Sequence, residues 1–439
     1  MTGWLSSAAL ASIQRVRWLR GFITVPGMIS LFGIALAFAT TWLDRAILQM
    51  PPGGLSLYSI EPDNVRPLLT AIAGSAMAAL SLVYSSVLVV FTLAAGTLGP
   101  RLLLRFAEDR TSQVAVGILG ATFLFCLIAL RNQPANVPGE ITVNFAIILA
   151  TACVIMLLFF INSTARKVTI DEEIGQISKT LDRELDRAIA STHSVERSAI
   201  VRPPGPETAL ISEKKGYLNR IEFEAIAKAA AECNAFVDFD IQPGSFAIEG
   251  QRIGTIIGRQ ADDLAPIVHH LIVFGERRTT TDDLYFSINL LVEIGLRALS
   301  PGVNDTFTAI SCADRLAGSL LRARRAHLQI GLHLDEAGAA RVTTPQLTAA
   351  DLIETAFTPL RRASSNNMLM CRHLIQALGI LGQGEGLPEE GAVREQLKLV
   401  QAEFEASHAL EADKAVIREL TEYTLAHSVG RPLVDNAAR

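Results

Sequence analysis

Long apolar segments crowd the first 161 residues of the 439-residue chain, and no comparable segment follows them. A bilayer core about 30 Å thick takes roughly 20 apolar residues in a helix that rises about 1.5 Å per residue. Four segments approach or exceed this length and contain no Asp, Glu, Lys, Arg or His: residues 22–43, 67–95, 114–130 and 141–161. The pattern predicts four transmembrane helices in a membrane domain over residues 21–165, after an N-terminal segment of residues 1–20.

The basic residues between these segments predict the orientation. Most lie on one side, before the first segment, between the second and third, and after the fourth: Arg15, Arg17, Arg20, Arg101, Arg105, Arg110, Arg166 and Lys167. The other side carries Arg45, Arg66 and Arg131. Because cytoplasmic loops are enriched in Lys and Arg, we expect a multi-pass plasma-membrane protein with both termini in the cytoplasm. The five cysteines show no metal-ligand spacing, so neither disulfides nor a metal site is expected.

The second segment contains small side chains at helical spacing. They are Ala71, Gly74, Ser75, Ala78 and Ala79. Small residues three or four positions apart let helices approach closely in lipid, where the hydrophobic effect does not drive association. Two interpretations stay open: tight packing against the other spans of the same chain, or a pore-lining or contact helix in a homo-oligomer.

Beyond the membrane the pattern changes to that of a soluble domain. Apolar positions recur every three or four residues over residues 170–189, which predicts an amphipathic membrane-exit helix within residues 166–200. Residues 201–340 read as a cytoplasmic α+β core with a small β-unit, and residues 341–439 as a helical region with a helix break at Pro359. The expected fold class is therefore membrane α-helical, with four spans, followed by a mostly helical α+β domain.

Polar residues are densest around two predicted helices that end near Leu299 and Arg325. Six of them could converge: Arg278, Asp283, Glu293, Arg297, Asn304 and Asp305. Helix N-termini with nearby arginines form anion sites, whereas paired charges also serve as structural networks. Both interpretations stay open, a structural salt-bridge network or a site for a small anionic ligand.

Several stretches of the chain resemble a known bacterial membrane-protein family, domain of unknown function 2254. The strongest stretch runs through Arg297, Ser300, Pro301, Gly302, Asn304 and Asp305 to Thr308 and Ala309; shorter ones are residues 274–279, 283–286, 216–217 with Ile221, 243–250 and 99–101. Thr306 stands where proline is expected, and Glu222 and Glu293 stand where aspartate is usual. The resemblance implies four spans and a cytoplasmic domain, and it implies no activity.

Two functions remain in competition, and a third is disfavoured. A channel-like or transport-related homo-oligomer, regulated by its cytoplasmic domain, is the first. The alternative is a membrane-anchored sensor or scaffold that binds an anionic ligand or a partner protein. No nucleophile elbow, phosphate loop or metal-binding motif is present, so no catalytic residues, cofactor or enzymatic activity are expected. With a net charge of −5 and no basic stretch interleaved with aromatics, nucleic acid is not an expected partner.

Overall fold

The computed structural model describes residues 24–48, 62–97, 110–132, 139–167, 170–195, 202–279, 283–383, 390–427 and 429. The chain divides into two compact units, a first unit of residues Met1–Ile170 and a second unit of residues Asp171–Arg439.

Four long apolar helices form the described part of the first unit. They are α1 Val25–Leu48, α2 Pro62–Thr97, α3 Arg110–Asn132 and α4 Glu140–Lys167. All four are long and apolar enough to cross a bilayer, which confirms the four long apolar helices predicted from the sequence. Within its candidate span, α3 is 56% buried and α2 only 11%. Helix α3 is therefore the central helix, whereas α2 and α4 (17% buried) are both largely exposed. The first two residues of the predicted first span lie outside the described residues.

Helices α1 and α3 approach each other closely through glycine. A Cβ atom at Gly33 would lie 2.7–2.9 Å from atoms of Ala121, and one at Gly117 would lie 2.8 Å from a side-chain carbon of Ile29. Such separations are shorter than van der Waals contact. Gly33 requires glycine because the clash is with the Ala121 backbone, whereas at Gly117 the Ile29 side chain would have to shift. Close packing of this kind supplies dispersion energy between helices in lipid. The small residues that set the intramolecular packing are thus in the first and third spans, not those singled out in the second.

Two charged residues at the end of α1 bind the ends of the neighbouring helices. The Asp44 carboxylate accepts hydrogen bonds from the backbone N–H groups of Ile141 (3.0 Å) and Thr142 (3.1 Å), and from the Thr142 hydroxyl (2.6 Å). It therefore caps the N-terminus of α4, where negative charge is favoured. The Arg45 guanidinium donates to the backbone carbonyl of Asn132 at the C-terminus of α3, where positive charge is favoured.

The second unit begins with a long amphipathic helix and continues as a mixed α+β fold. Helix α5 covers Ile170–Val195, in agreement with the predicted exit helix. The next elements are β1 Glu207–Ile211, β2 Gly216–Ile221, α6 Phe223–Glu232, β3 Phe236–Phe239, β4 Phe246–Ala247, β5 Arg252–Ile257, α7 Ala261–His270 and β6 Ile272–Gly275. The remainder is α8 Leu284–Ala298, α9 Thr306–Arg325, β7 Gln329–Leu334, β8 Ala340–Thr348, α10 Ala349–Ala363, α11 Met368–Leu381, α12 Glu390–Glu405 and α13 Glu411–His427.

The strands form two sheets, and the β-structure is larger than the small unit expected. One sheet has the order β1-β5-β3-β8-β7 and the other the order β4-β2-β6. Strands β3 and β8 pair in parallel, with Val237 opposite Val342. Strands β3 and β8 lie about a hundred residues apart in the chain. Local patterns in the sequence therefore could not predict this pairing. The core beneath the sheets contains Phe239, Ile253, Ile256 and Leu264, all fully or nearly fully buried.

The predicted helix break at Pro359 is wrong. Helix α10 continues through Pro359 to Ala363, and the break comes at residues 364–367. Proline removes one backbone hydrogen bond from a helix interior. Here the apolar side of α10 is buried on both sides of the proline, at Phe357 and Leu360 among others, and this burial outweighs the lost bond.

The cap at Asp44 yields a stability prediction. Asp44→Ala removes three hydrogen bonds from the start of α4, so we expect a loss of about 2 kcal/mol in the free energy of unfolding. Thermal unfolding of the full-length protein in detergent measures it. Thr151→Ala is the control, because the exposed Thr151 hydroxyl bonds only to the Ile147 carbonyl of its own helix. An equal loss in both variants would contradict a capping role.

Candidate functional site

The start of α8 holds a buried ion pair. The Asp283 side chain is 1% exposed. Its carboxylate receives two parallel hydrogen bonds from Arg278, Nε to Oδ2 at 2.8 Å and Nη2 to Oδ1 at 2.9 Å. The same carboxylate caps α8 by accepting a hydrogen bond of 3.1 Å from the backbone N–H of Phe286. A bidentate pair that also caps a helix is well satisfied, as a buried charge must be.

A glycine turn from the neighbouring sheet closes over this pair. Gly244 has φ +87°, in the left-handed region that favours glycine, and a Cβ there would lie 2.1 Å from Asp283 Oδ2. The Arg278 guanidinium also lies 5.8 Å from the centroid of the Phe286 ring, within cation–π range. The turn at residues 243–244, noted from the sequence, thus belongs to the same site as Arg278 and Asp283.

The exit helix brings a second carboxylate to the site. The Ser287 hydroxyl donates to Oε2 of Glu184, on α5, at 2.7 Å. Burial, with a smaller contribution from the Asp283 charge, raises the pKa of the Glu184 carboxyl to about 7, despite the lowering effects of the Ser287 hydrogen bond and of Arg187 and Arg183. Burial also raises the pKa of Asp283, although Arg278 lowers it. Sequence reasoning missed Glu184, because nothing in the pattern of α5 distinguishes it from the exposed acids on the same helix.

The remaining candidate residues lie at the other end of α8. Arg297 is fourteen positions after Asp283, a helical rise of about 21 Å. Asp305 caps α9 by accepting from the Thr308 backbone N–H (3.1 Å) and hydroxyl (2.6 Å). Asn304 is exposed with φ +50°, a left-handed conformation that Asn tolerates. Glu293 is partly buried one turn before Arg297. The structure therefore separates the six residues into two groups, Arg278 with Asp283, and the four near the turn at residues 299–305.

The turn between α8 and α9 has a structural explanation for its unusual residues. The backbone N–H of Asn304 donates to the Ser300 carbonyl at 2.9 Å, and that of Asp305 donates to the Ala298 carbonyl at 2.8 Å. Thr306, where the family resemblance leads one to expect proline, accepts a hydrogen bond of 2.8 Å from the Asn367 side chain. Asn367 in turn caps α11. The hydroxyl thus joins the starts of α9 and α11, which proline could not do.

The geometry limits the chemistry of the site. Asp283 already occupies one of the two guanidinium edges of Arg278 that can bind an anion in a bidentate manner, the edge formed by Nε and Nη2. No group of three or more His, Cys, Asp or Glu side chains that could hold a metal ion occurs among the described residues. The feature with a chemical consequence is the Glu184 carboxyl group, which changes charge near neutral pH at the contact between α5 and α8.

The contact at Gly244 yields a second prediction. Gly244→Ala places a methyl group against the Asp283 carboxylate, and we expect faster amide hydrogen exchange in the first turn of α8. Gly250→Ala is the matched control, because Gly250 has φ +83° but open space around its Cβ position. Both variants carry a backbone strain of about 1–2 kcal/mol, and Gly244→Ala adds about 1–3 kcal/mol from overpacking. Identical amide hydrogen exchange in the two variants would show that the turn at Gly244 does not contact the Arg278–Asp283 pair closely.

A third prediction concerns pH. Because the pKa of Glu184 is raised above its usual value of 4.5 to about 7, its contribution to stability is complete below pH 4.5 and is lost as the pH rises through 7. Glu184→Gln resembles the protonated form, so we expect it to stabilise the protein at pH 8 by about 1–2 kcal/mol, after allowance for solvent screening. The stabilisation should be small at pH 5 and vanish below pH 4.5.

Thermal unfolding of the full-length protein between pH 5 and 8 measures this difference. The control is Glu172→Gln, at an exposed position of the same helix, which should follow the pH profile of the parent protein. A Glu184→Gln effect of the same size at pH 5 and pH 8 would contradict the assignment.

Comparison with known proteins supports the sequence resemblance. The family model described as "Predicted membrane protein (DUF2254)" matches residues 20–379. The uncharacterized protein Rv1290c of Mycobacterium tuberculosis is 25% identical over 409 residues, which cover 88% of this chain and 77% of that protein. The uncharacterized protein Mb1321c of Mycobacterium bovis shows the same identity and coverage.

No solved structure matches the chain. The family match spans most of both units, from the start of the membrane helices to the end of α11, and it includes the Arg278–Asp283 pair and the turn between α8 and α9. The chain therefore belongs to the predicted membrane-protein family DUF2254.

Proposed function

We propose that the protein is a channel-like or transport-related homo-oligomer in the bacterial plasma membrane, assembled through α2 and regulated by its second unit. The observation that carries the proposal is the outer face of α2. One side of α2 packs into the first unit through residues such as Val65, Leu69 and Val83. The opposite side presents Ala71, Gly74, Ser75 and Ala78, all exposed, with Ala79 half-buried at its flank.

This small-residue face occupies only the first half of α2, since the second half exposes large side chains such as Leu82, Leu88 and Val89. The exposed sides of α1 and α4 carry large side chains such as Phe32, Leu158 and Phe159. No atom of the described chain lies within 4 Å of a Cβ position at Gly74. Because the backbone is accessible at Gly74, a helix from a second copy could approach there as closely as α1 approaches α3 at Gly33.

The serine on this face needs no hydrogen-bond partner from another helix. The Ser75 hydroxyl donates to the Ile72 carbonyl of its own helix at 3.0 Å. Further along α2, the Ser81 hydroxyl donates to the Met77 carbonyl in the same way. The face can therefore pack against another helix, or line a narrow apolar constriction that gates by excluding water, without leaving a buried polar group unpaired.

The alternative function, a sensor for a small anionic ligand, has weaker support. That function requires Arg278 and Arg297 to bind the ligand together. Arg278, however, lies before the start of α8, and Arg297 lies in its last turn. The bidentate bond to Asp283 also engages Arg278. A raised pKa at Glu184, where the exit helix contacts α8, instead suits regulation of the oligomer by pH.

The fourth prediction separates assembly from folding. Gly74→Leu should leave the folded chain intact, because the position has open space, and should reduce the native mass of the purified protein in nanodiscs and abolish solute flux. Gly33→Leu is the matched control, because its side chain collides with Ala121 and should destabilise the single chain itself. Native mass spectrometry, thermal unfolding and liposome flux measure the three effects.

The native mass of the unmodified protein provides a second test. A closed ring of four or more copies would support a central pore, whereas a monomer or dimer would remove most of the support for a channel. Unchanged mass and flux in a well-folded Gly74→Leu protein would exclude α2 as the contact.

A further inference from the structure

Three turns at one end of the second unit carry exposed large apolar side chains. Val303 (50% exposed) and Phe307 (74%) lie at the turn between α8 and α9, Leu369 (46%) at the start of α11, and Leu410 (73%) just before α13. Exposed apolar groups that cluster at one end of a domain indicate an interaction surface. We call these four residues the apolar end.

Contacts between the helices show that these residues share one end. Helices α9 and α11 run in parallel, because Asn367 donates to Thr306 at their starts (2.8 Å) and His373 lies 2.6 Å from Asp314 further along. The turn before α13 lies at the same end as the turn before α11, because Arg361, near the end of α10, pairs with Glu403, near the end of α12. After the two helices, Val429 lies beside Gly382, so α13 and α11 run in parallel. The starts of α9, α11 and α13 therefore lie together.

The exit helix α5 begins at the same end. The Ser319 hydroxyl donates to Asp182 at 2.7 Å, and Arg322 pairs with Asp186, so α5 and α9 are parallel. Asp182 is twelve residues after Ile170, the first residue of α5, and Ser319 is twelve residues after Phe307. Ile170 therefore lies roughly level with Phe307. The Asp171 charge, together with the larger effect of burial, raises the pKa of the Cys312 thiol to about 12, which agrees with this register.

Chain continuity connects this end to the membrane. The fourth candidate span ends at Thr164, and α5 begins at Ile170. Six residues of extended chain reach about 20 Å at most. The end of the second unit that carries the exposed apolar side chains is thus the end at which the chain arrives from the bilayer.

We propose that the apolar end of the second unit rests on the bilayer surface and inserts Val303, Phe307, Leu369 and Leu410 among the lipid headgroups. Exposed charges of both signs lie at this end, including Arg362, Asp171 and Glu411. Their mixture offers no net attraction to anionic lipid, so the contact depends on apolar side chains. This contact is separate from the oligomer contact at α2 and can exist in a protein of any oligomeric state.

A pair of labelled variants on one helix tests the proposal. Leu369 and Ile380 both lie on α11 with similar exposure, 46% and 50%, and their separation of eleven residues corresponds to about 16 Å. Each is replaced by cysteine in the full-length Cys233→Ala protein, because the other four cysteines are buried. A fluorescent label is attached, and the protein is placed in phosphatidylcholine nanodiscs that contain nitroxide-labelled lipid.

We expect the lipid nitroxide to quench the label at Leu369→Cys several-fold more than the label at Ile380→Cys, and aqueous iodide to do the reverse. Phe307→Cys repeats the measurement at an independent position. Replacing a third of the lipid by phosphatidylglycerol should leave the difference unchanged. Since the readout is lipid contact, a failure of the oligomer proposal would not alter it.

Three results would overturn the proposal. The first is equal lipid quenching at Leu369→Cys and Ile380→Cys. The second is protection of Leu369→Cys from both quenchers, which would mean that protein, such as a second copy, covers the apolar end. The third is lipid quenching that appears only with phosphatidylglycerol, which would assign the contact to electrostatics.

Discussion

The hydrocarbon core of a bilayer supplies no partner for a backbone N–H or C=O group, and the first unit is organised around this constraint. Each span satisfies its own backbone by forming a helix, and the helix ends need further partners. Asp44 meets this need at the start of α4, and Arg45 does so at the end of α3. Between the ends, contact through Gly33 and Gly117 brings α1 against α3, and the small-residue face of α2 is uncovered.

The second unit follows a different rule, because its buried charges must be paired. Asp283 is buried with Arg278, and Arg361 is buried with Glu403 and Gln396 between α10 and α12. Removing one partner of such a pair leaves an uncompensated charge, so these residues hold the helices in register. Glu184 differs from these pairs: it faces Ser287 and Asp283, and its pKa of about 7 lets it lose its charge under mild conditions.

Helix α5 follows the fourth candidate span in the chain and packs within the second unit. Its apolar residues, including Ile174, Leu181 and Leu185, are fully buried, and its acidic residues bond to Ser287 on α8 and to Ser319 on α9. Helix α5 thus packs along the second unit over most of its length. The charge state of Glu184 and the lipid contact of the apolar end would both act on this helix, one near its middle and one at its start.

The sequence alone determined the four spans, the exit helix, the helix pair around residues 284–325 and the family. These features depend on local patterns: runs of apolar residues long enough for a bilayer, helical periodicity, and capping residues beside turns. The Pro359 break failed because burial of the rest of α10 outweighed a local rule. Only the tertiary structure revealed the β3–β8 pairing, the partners of Asp44 and Glu184, the separation of Arg278 from Arg297, and which side of α2 is exposed. Each of these depends on contacts between residues far apart in the chain, and neither composition nor periodicity contains that information.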